Sequence, residues 1–476
     1  MEQLSFLSVD QVREIRREFG SPVYVYDQKT LETQADSVLG FPNAFGLTAR
    51  YAMKALPNAA VIRILTQRGL HIDASSGYEA ERAMRAGVPA DHIQVTAQQI
   101  PDNLKALVEK GVIYNACSLN QLRTFGDLFP GHSLSVRINP GAGSGHSNRT
   151  NVGGPAASFG IWHEHIDEVH KICGERNLTV TAMHTHIGSG SDPEVWERVA
   201  LMSLDICVGF PDTHTLSLGG GYKVGRMKGE VSTDLQVIGS HVVEAFRMTA
   251  GKSGRELRLE VEPGTYLVAN AGAIVTTAMD IVDTGKEGYR FIKIDSGMTE
   301  TVRPSMYGAQ HPIVVVPAET EARGVGDYLV VGHCCESGDV LTPAPDDPEG
   351  LLPRELTEAK VGDAVVIGGG TSSKSSRLIH GGLRYLETMR FALVREALQD
   401  RLELLRRYPE LVGMRPFFLP IYKTSPRPAW MLWLGVKLYD VLAGWQNKYR
   451  SGFVKRDVFD SAFGEETTYV GSGFGE

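Results

Sequence analysis

Cysteine is scarce in this chain. The five present (Cys117, Cys173, Cys207, Cys334 and Cys335) are scattered through 476 residues with no CxxC pair and no metal-ligand spacing. That argues against a disulfide framework and a structural zinc, and for a reducing, cytoplasmic setting. An excess of positive charge is lacking as well: 48 Lys and Arg stand against 56 Asp and Glu, a net charge of −8, so no basic field recommends nucleic acid as a partner. The amino terminus, MEQLSFLSVDQVREIRREFG, places charges where a signal peptide needs an apolar run, and reads instead as an amphipathic helix capped by Ser8. The apolar stretch PAWMLWLGVKLYDVLAGW (428–445) contains Lys437 and Asp440 and falls short of the ~20 residues of a bilayer-spanning helix, so no membrane partner is expected.

What is there is an ordinary globular composition, 42% hydrophobic and 22% charged, able to bury a large core in two or three domains. From about residue 49 to 264, β-branched runs recur: 49–55, 71–76, 93–97, 113–118, 134–140, 180–188, 215–221 and 258–264. Most are followed by stretches of helical period, such as SGYEAERAMRAG. Many of the runs read as near-continuously apolar, as parallel strands covered on both faces do. Eight such alternations predict a (β/α)8 barrel over 28–270. Hairpin-like strands after Gly264 predict an antiparallel β domain over 271–369, joined by residues 1–27 through VYVYD (23–27). Residues 370–446, rich in Leu and Arg, predict a mainly helical carboxyl-terminal segment, and 447–476 a tail.

In such a barrel the chemistry sits at the carboxyl ends of the strands. The polar residues falling there are Lys54, Asp73 and Ser75, Arg137 and Asn139, His184 and His186, Gly219, Gly220 and Gly221, and Glu262. Alone, Lys54 reads as a solvent-seeking strand end, and the glycine triplet equally as a tight turn or a phosphate cradle. HTHIGSG offers His186 as a ring to lie on a flat cofactor and Ser189 as a hydroxyl for an anion; the HxH pair also admits a metal reading, but lacks a nearby acidic third ligand. Glu262 suits a barrel interior only if it faces a positive partner such as a protonated pyridine nitrogen. Together a Schiff-base lysine, an anion cradle, a stacking histidine and an acid describe a pyridoxal phosphate site.

The motifs YAMKA, HIDASSGYE, RINPG, HTHIGSG, SLGGG, EPGTYLVANAG, IDSGMTETVRPSMYGAQHPI and CCESGD resemble, in collinear order over about residues 20–369, the pyridoxal phosphate-dependent decarboxylases of alanine-racemase-like fold, and most closely the diaminopimelate decarboxylases. The resemblance implies conversion of meso-diaminopimelate to L-lysine and CO2 in a homodimer with shared active sites. It implies further that Lys54 carries pyridoxal 5'-phosphate and His186 stacks on its ring. Asp73, Arg137, Ser189 and Gly219 to Gly221 would line the cofactor, and Glu262 would keep its ring nitrogen protonated. From the β domain, Cys335 would act in reprotonation, Glu336 would meet the substrate's distal ammonium, and Arg303 with Tyr307 would bind its distal carboxylate. A decarboxylase of a related amino acid and an inactive hybrid chain are the alternatives.

The chain departs from that family twice. Thr265 stands where EPGR is common, and after DAVVIGG the expected Gly-Ala-Tyr motif and closing strands are replaced by GGGTSSKSSRLIHGGLRYLE. Residues 369–444 resemble instead an internal stretch of FAD-dependent glycerol-3-phosphate dehydrogenase, without the dinucleotide-binding βαβ unit that precedes it there.

Overall fold

The computed structural model describes residues 2, 3, 5–142, 153–186 and 190–369, with scattered positions beyond. The chain folds as two compact units, Met1–Lys374 and Ser375–Glu476. The first begins with helix α1 (Val9–Phe19), whose start is fixed by a reciprocal capping box between Ser8 and Gln11. Strand β1 (Val23–Tyr26) and helix α2 (Gln28–Leu39) lead into the barrel.

Eight parallel strands form the barrel wall: β2 (Leu47–Ala52), β3 (His71–Ala74), β4 (Ile93–Val95), β5 (Ile113–Ala116), β6 (Ser133–Asn139), β8 (Thr179–His184), β9 (Thr215–Ser217) and β10 (Arg258–Val261). The pairing of β10 with β2 and of β5 with β6 closes the ring, and the short β7 (Ile161–Trp162) extends the end of β6. Outside run α3 (Ala59–Gln67), α4 (Gly77–Arg85), α5 (Leu104–Glu109), α6 (Leu119–Leu128), α7 (Ile166–Arg176), α8 (Pro193–Val208) and α9 (Leu235–Ser253). Asn58, Ser76, Ser118, Asp192 and Asp234 cap five of these by accepting first-turn amides. Each predicted run contains an observed strand.

The reading of these strands as near-continuously apolar is corrected by the structure. Their outer faces pack Tyr51, Ile72, Val95, Val136, Met183 and Val261 against the helices, but the inner faces carry Arg50, Asp73, Gln94, Asn115, Arg137, His184, Ser217, Glu260 and Glu262, all buried. The axis of this barrel is a polar column rather than a layer of aliphatic side chains.

The β domain was expected to be antiparallel and is mixed. Its strands β11 (Gly272–Asp283), β12 (Arg290–Ile294), β13 (Ile313–Val316), β14 (Val325–Val331), β17 (Arg354–Thr357) and β18 (Ala364–Gly368) run in the order β13-β18-β11-β12-β14-β17, with β12 and β14 parallel. A small hairpin, β15 (Pro343–Ala344) with β16 (Asp347–Leu351), stands beside it. β1 pairs antiparallel with β11, Val23 opposite Val275, so VYVYD joins this domain as the sequence predicts. Period-two burial follows from the pleat: Ile274, Ile292, Val315, Val365 and Ile367 face one core, while Ala273, Val275, Ala364 and Val366 face Val12 of α1. Two short helices, α10 (Thr265–Val268) and α11 (Val302–Tyr307), join the parts.

In the second unit, three short antiparallel strands (Phe418–Leu419, Gly452–Val454 and Gly473–Gly475) are described. The helical segment expected over 370–446, including the glycerol-3-phosphate dehydrogenase-like stretch, lies almost wholly outside the described residues. Among the described residues no helix is long and apolar enough to cross a membrane.

Candidate functional site

The chemistry-bearing residues gather at the carboxyl ends of the barrel strands because the parallel registers align them. Ala52 is opposite Asp73, Asp73 opposite Gln94, Arg137 opposite His184, and His184 opposite Ser217. Glu262 follows β10 and is the hub. Its Oε1 accepts from Ser217 Oγ at 2.9 Å and Gln94 Nε2 at 3.1 Å. His184 Nε2 stands 3.2 Å from its Oε2. Burial opposes ionisation here, yet His184 and Ser217 together hold the Glu262 carboxyl well below its ordinary range.

Asp73, its neighbour across the barrel, is driven the other way. Burial, then the Glu262 charge, push it up to about 8, with Lys54 pulling against them. Its Oδ1 is buried without a hydrogen-bond partner. Two neighbouring buried carboxyls are therefore driven in opposite directions, and among the described residues Asp73 Oδ1 is left without a partner.

Lys54 sits on the single turn Met53–Ala55 that ends β2, held at the mouth by the bond from Ala52 N to Pro263 O, 3.1 Å, immediately after Glu262. The His186 ring is half-buried, and desolvation with the charges of Arg137, His184 and Lys54 pushes it well below the ordinary imidazole range. Gly220 N donates to His186 Nδ1 at 3.1 Å, so the ring proton is on Nε2. Arg137 lies 5.1 Å over the Phe159 ring.

The glycine triplet is required by contact. A Cβ on Gly219, which also has φ +70°, would fall 2.0 Å from His186 Nδ1; one on Gly220 would fall 2.3 Å from Glu262 O. The amides of Gly219 and Gly220 are donated to Ser217 Oγ and His186 Nδ1, which leaves the Gly221 amide without a partner among the described residues. Ser189, expected beside it, lies outside the described residues.

The β-domain candidates stand on two segments. Arg303 is in α11 with its Cζ 5.7 Å from the Tyr307 ring centroid, and its Nε is buried without a hydrogen-bond partner. Cys335 is exposed and Glu336 follows it on the loop after β14. The loop is shaped by Asp339, whose carboxylate accepts from Met298 N at 2.6 Å and Cys334 N at 2.9 Å, against Gly297 and Gly332, where any Cβ would overlap it.

Sequence reasoning named His184 without giving it a role and overlooked Gln94, Asn115 and Ser217. Asn115 Nδ2 meets His184 Nδ1 at 2.9 Å and so helps orient the ring beside Glu262. Their signal was available: each is a polar residue at the inward period of a strand otherwise rich in Val, Ile and Ala. Arg50 and Glu260, a layer further in, form a buried two-bond ion pair at 3.1 and 3.0 Å.

The donor set fits pyridoxal phosphate: an amine at the mouth, a half-buried neutral ring, a carboxylate held low by its hydrogen-bond donors, a buried Asp73 oxygen and a side-chain-free turn ending in an amide, these last two unpartnered among the described residues. Among the described residues no group of three or more His, Cys, Asp or Glu could hold a metal ion.

Comparison with known proteins agrees. The family described as "Pyridoxal-dependent decarboxylase, pyridoxal binding domain" matches residues 34–269. Diaminopimelate decarboxylase of Streptomyces coelicolor is 35% identical over 357 residues, 73% of this chain and 79% of that one. The enzyme of that name from Escherichia coli K12 is 32% identical over 370 residues, covering 76% and 86%. A crystal structure of diaminopimelate decarboxylase superposes with TM-score 0.72 at 31% identity, covering 77% of this chain and 87% of that one.

Proposed function

Since the chain belongs to the diaminopimelate decarboxylases, within the pyridoxal-dependent decarboxylases, we propose that its barrel mouth decarboxylates meso-diaminopimelate to L-lysine and CO2 with pyridoxal 5'-phosphate. The observation that carries this is the Glu262 layer. A carboxylate kept ionised by Ser217, Gln94 and His184 is the environment that a protonated pyridine nitrogen requires.

Lys54 would hold the cofactor at its aldehyde carbon, the neutral His186 ring would lie on its face, and Glu262 would hold the proton on its ring nitrogen. The Gly221 amide, Ser189 and Arg137 would serve the phosphate and ring substituents, with Gly219 and Gly220 bringing the backbone close. Bound there, pyridoxal phosphate supplies the electron sink that takes the Cα–carboxylate bonding pair as CO2 leaves. Asp73 and the Gln94–Asn115–His184–Ser217 shell keep Glu262 and the rings fixed so that little reorganisation accompanies the charge change. Arg303 and Tyr307 would receive the distal carboxylate and Glu336 the distal ammonium, selecting the doubly zwitterionic substrate; Cys335 would return a proton to Cα.

Cys335 and Glu336 are read as contributions to a partner subunit's site in a cytoplasmic homodimer. Mixing Lys54→Ala with Cys335→Ser subunits tests this: sharing restores part of the activity in the mixture, and two additive losses refute it. The test of the activity itself is lysine release from meso-diaminopimelate by the full chain with added pyridoxal phosphate. Lys54→Ala is expected to abolish release, and release unchanged in that variant would overturn the assignment. The segment 369–444 is read as a grafted piece without flavin chemistry; a flavin absorbance in the purified protein would contradict this.

A further inference from the structure

The loop after the glycine triplet carries a second arginine toward the α11 side. It is fixed along its length: Tyr222 stacks on the buried Trp196 at 4.8 Å, Lys223 N and Gly225 N donate to Thr233 Oγ1 and Ser232 Oγ at 2.8 and 3.0 Å, and Asn270 Nδ2 donates to Gly225 O at 3.1 Å. Arg226 Nε then donates to Gly369 O at 2.9 Å, and a Cβ on Gly369 would stand 3.1 Å from Arg226 Cδ.

Among the described residues Arg226 makes no ion pair, and its Nη1 reaches only Val224 O at 3.4 Å. The nearby Glu230 carboxylate accepts from the Arg226 and Met227 amides, at 2.8 and 3.2 Å. Arg303 is placed similarly: among the described residues its buried Nε has no hydrogen-bond partner, the Tyr307 ring lies 5.7 Å from its Cζ, and the Glu230 charge acts on it from a distance. Burial and the Arg303 charge bring Arg226 down to about 9. The neighbouring His311, bonded through Nδ1 to Gly368 O at 3.0 Å, falls to about 3 under burial and the charges of both arginines. The carboxylate that acts on both is that of Glu230, already engaged by two backbone amides, and among the described residues neither guanidinium is bonded to a carboxylate. Thr265, on the adjoining α10, adds no charge to it.

We propose that Arg226 is a specificity-determining residue that forms, with Arg303, a two-guanidinium subsite for the carboxylate at the far end of the substrate. The proposal rests on the reading of Arg303 given above and extends it to a residue outside α11. Planar forks suit a carboxylate, and a ligand bringing one can accept hydrogen bonds from both arginines and offset part of their charge.

The probe is pimelate, a straight-chain dicarboxylate without amino groups, titrated calorimetrically into the chain loaded with pyridoxal phosphate. Arg226→Gln is expected to weaken pimelate by about tenfold or more, and with it L-lysine, which keeps the far-end carboxylate when the near one leaves as CO2, with cofactor affinity and melting temperature unchanged. Pimelate bound equally well by Arg226→Gln overturns the proposal. So does a loss of cofactor affinity with pimelate unaffected, which would give Arg226 to the cofactor phosphate instead. If the Gln variant does not fold, Arg226→Lys keeps the charge without the fork: a fall of about threefold or more supports the subsite and wild-type affinity refutes it. These are binding readouts, so a wild-type chain that binds pimelate yet releases no lysine from meso-diaminopimelate fails the proposed activity alone.

Discussion

Replacing Gly220 by alanine puts one methyl group where the structure has no room for it. The new Cβ would stand 2.3 Å from the carbonyl oxygen of Glu262 and 3.0 Å from its carbonyl carbon. These are backbone atoms, so no side-chain rotation relieves the overlap. Either the triplet withdraws, breaking the 3.1 Å bond from Gly220 N to His186 Nδ1, or the end of β10 moves and takes Glu262 away from Ser217 and Gln94. Overpacking of this kind costs about 1–3 kcal/mol. Drawn from cofactor binding, that is a weakening of about 5- to 150-fold; drawn from folding, a melting temperature lower by a few degrees. The assay is titration of the cofactor-free variant with pyridoxal phosphate, followed by visible absorbance, beside thermal melts of both forms. Gly251→Ala serves as control, since a Cβ there, in the last turns of α9, meets nothing within 4 Å. If Gly220→Ala binds cofactor and melts as the parent does, the triplet is not held against Glu262 and this site geometry is wrong.

Arg50→Met leaves Glu260 buried without its partner and is expected to cost about 3–5 kcal/mol in urea unfolding, whereas Arg50→Met with Glu260→Leu loses much less; a double variant as unstable as the single one refutes this. In the cofactor-free chain Asp73, raised to about 8 by burial and Glu262, keeps a proton that the unfolded chain releases near the ordinary value of 3.8. The stability it contributes is therefore full at acid pH and is lost as pH rises toward about 8. Asp73→Asn should flatten that decline in urea midpoints measured between about pH 5 and pH 8, and an unchanged slope would count against it. Ser217→Ala removes one of the bonds holding Glu262 ionised, and is expected to weaken the cofactor by about tenfold while leaving KM for substrate little changed; an unaltered cofactor affinity refutes the role given to Ser217.

The periodicities of the sequence determined the barrel, because each strand and helix carries its own apolar pattern and cap. Ser8 with Gln11 and the caps at Ser76 and Ser118 act within a few residues of themselves and need no distant partner. The strand-end residues Lys54, Asp73, His186 and Glu262 were legible for a related reason: a barrel's topology sends every such end to one rim. Which of them share a layer, and in what charge state, was settled only by the closed ring. Glu262 and Asp73 are alike as letters. Parallel register sets His184, Ser217 and Gln94 on one and leaves the other facing its neighbour's charge in a dry interior, so that the first is ionised and the second protonated. The same holds for Arg226. Nothing in GGGYKVGRMKGE marks it apart from a surface arginine; only the folding of Gly369 and α11 toward that loop gives it a half-buried place near Arg303.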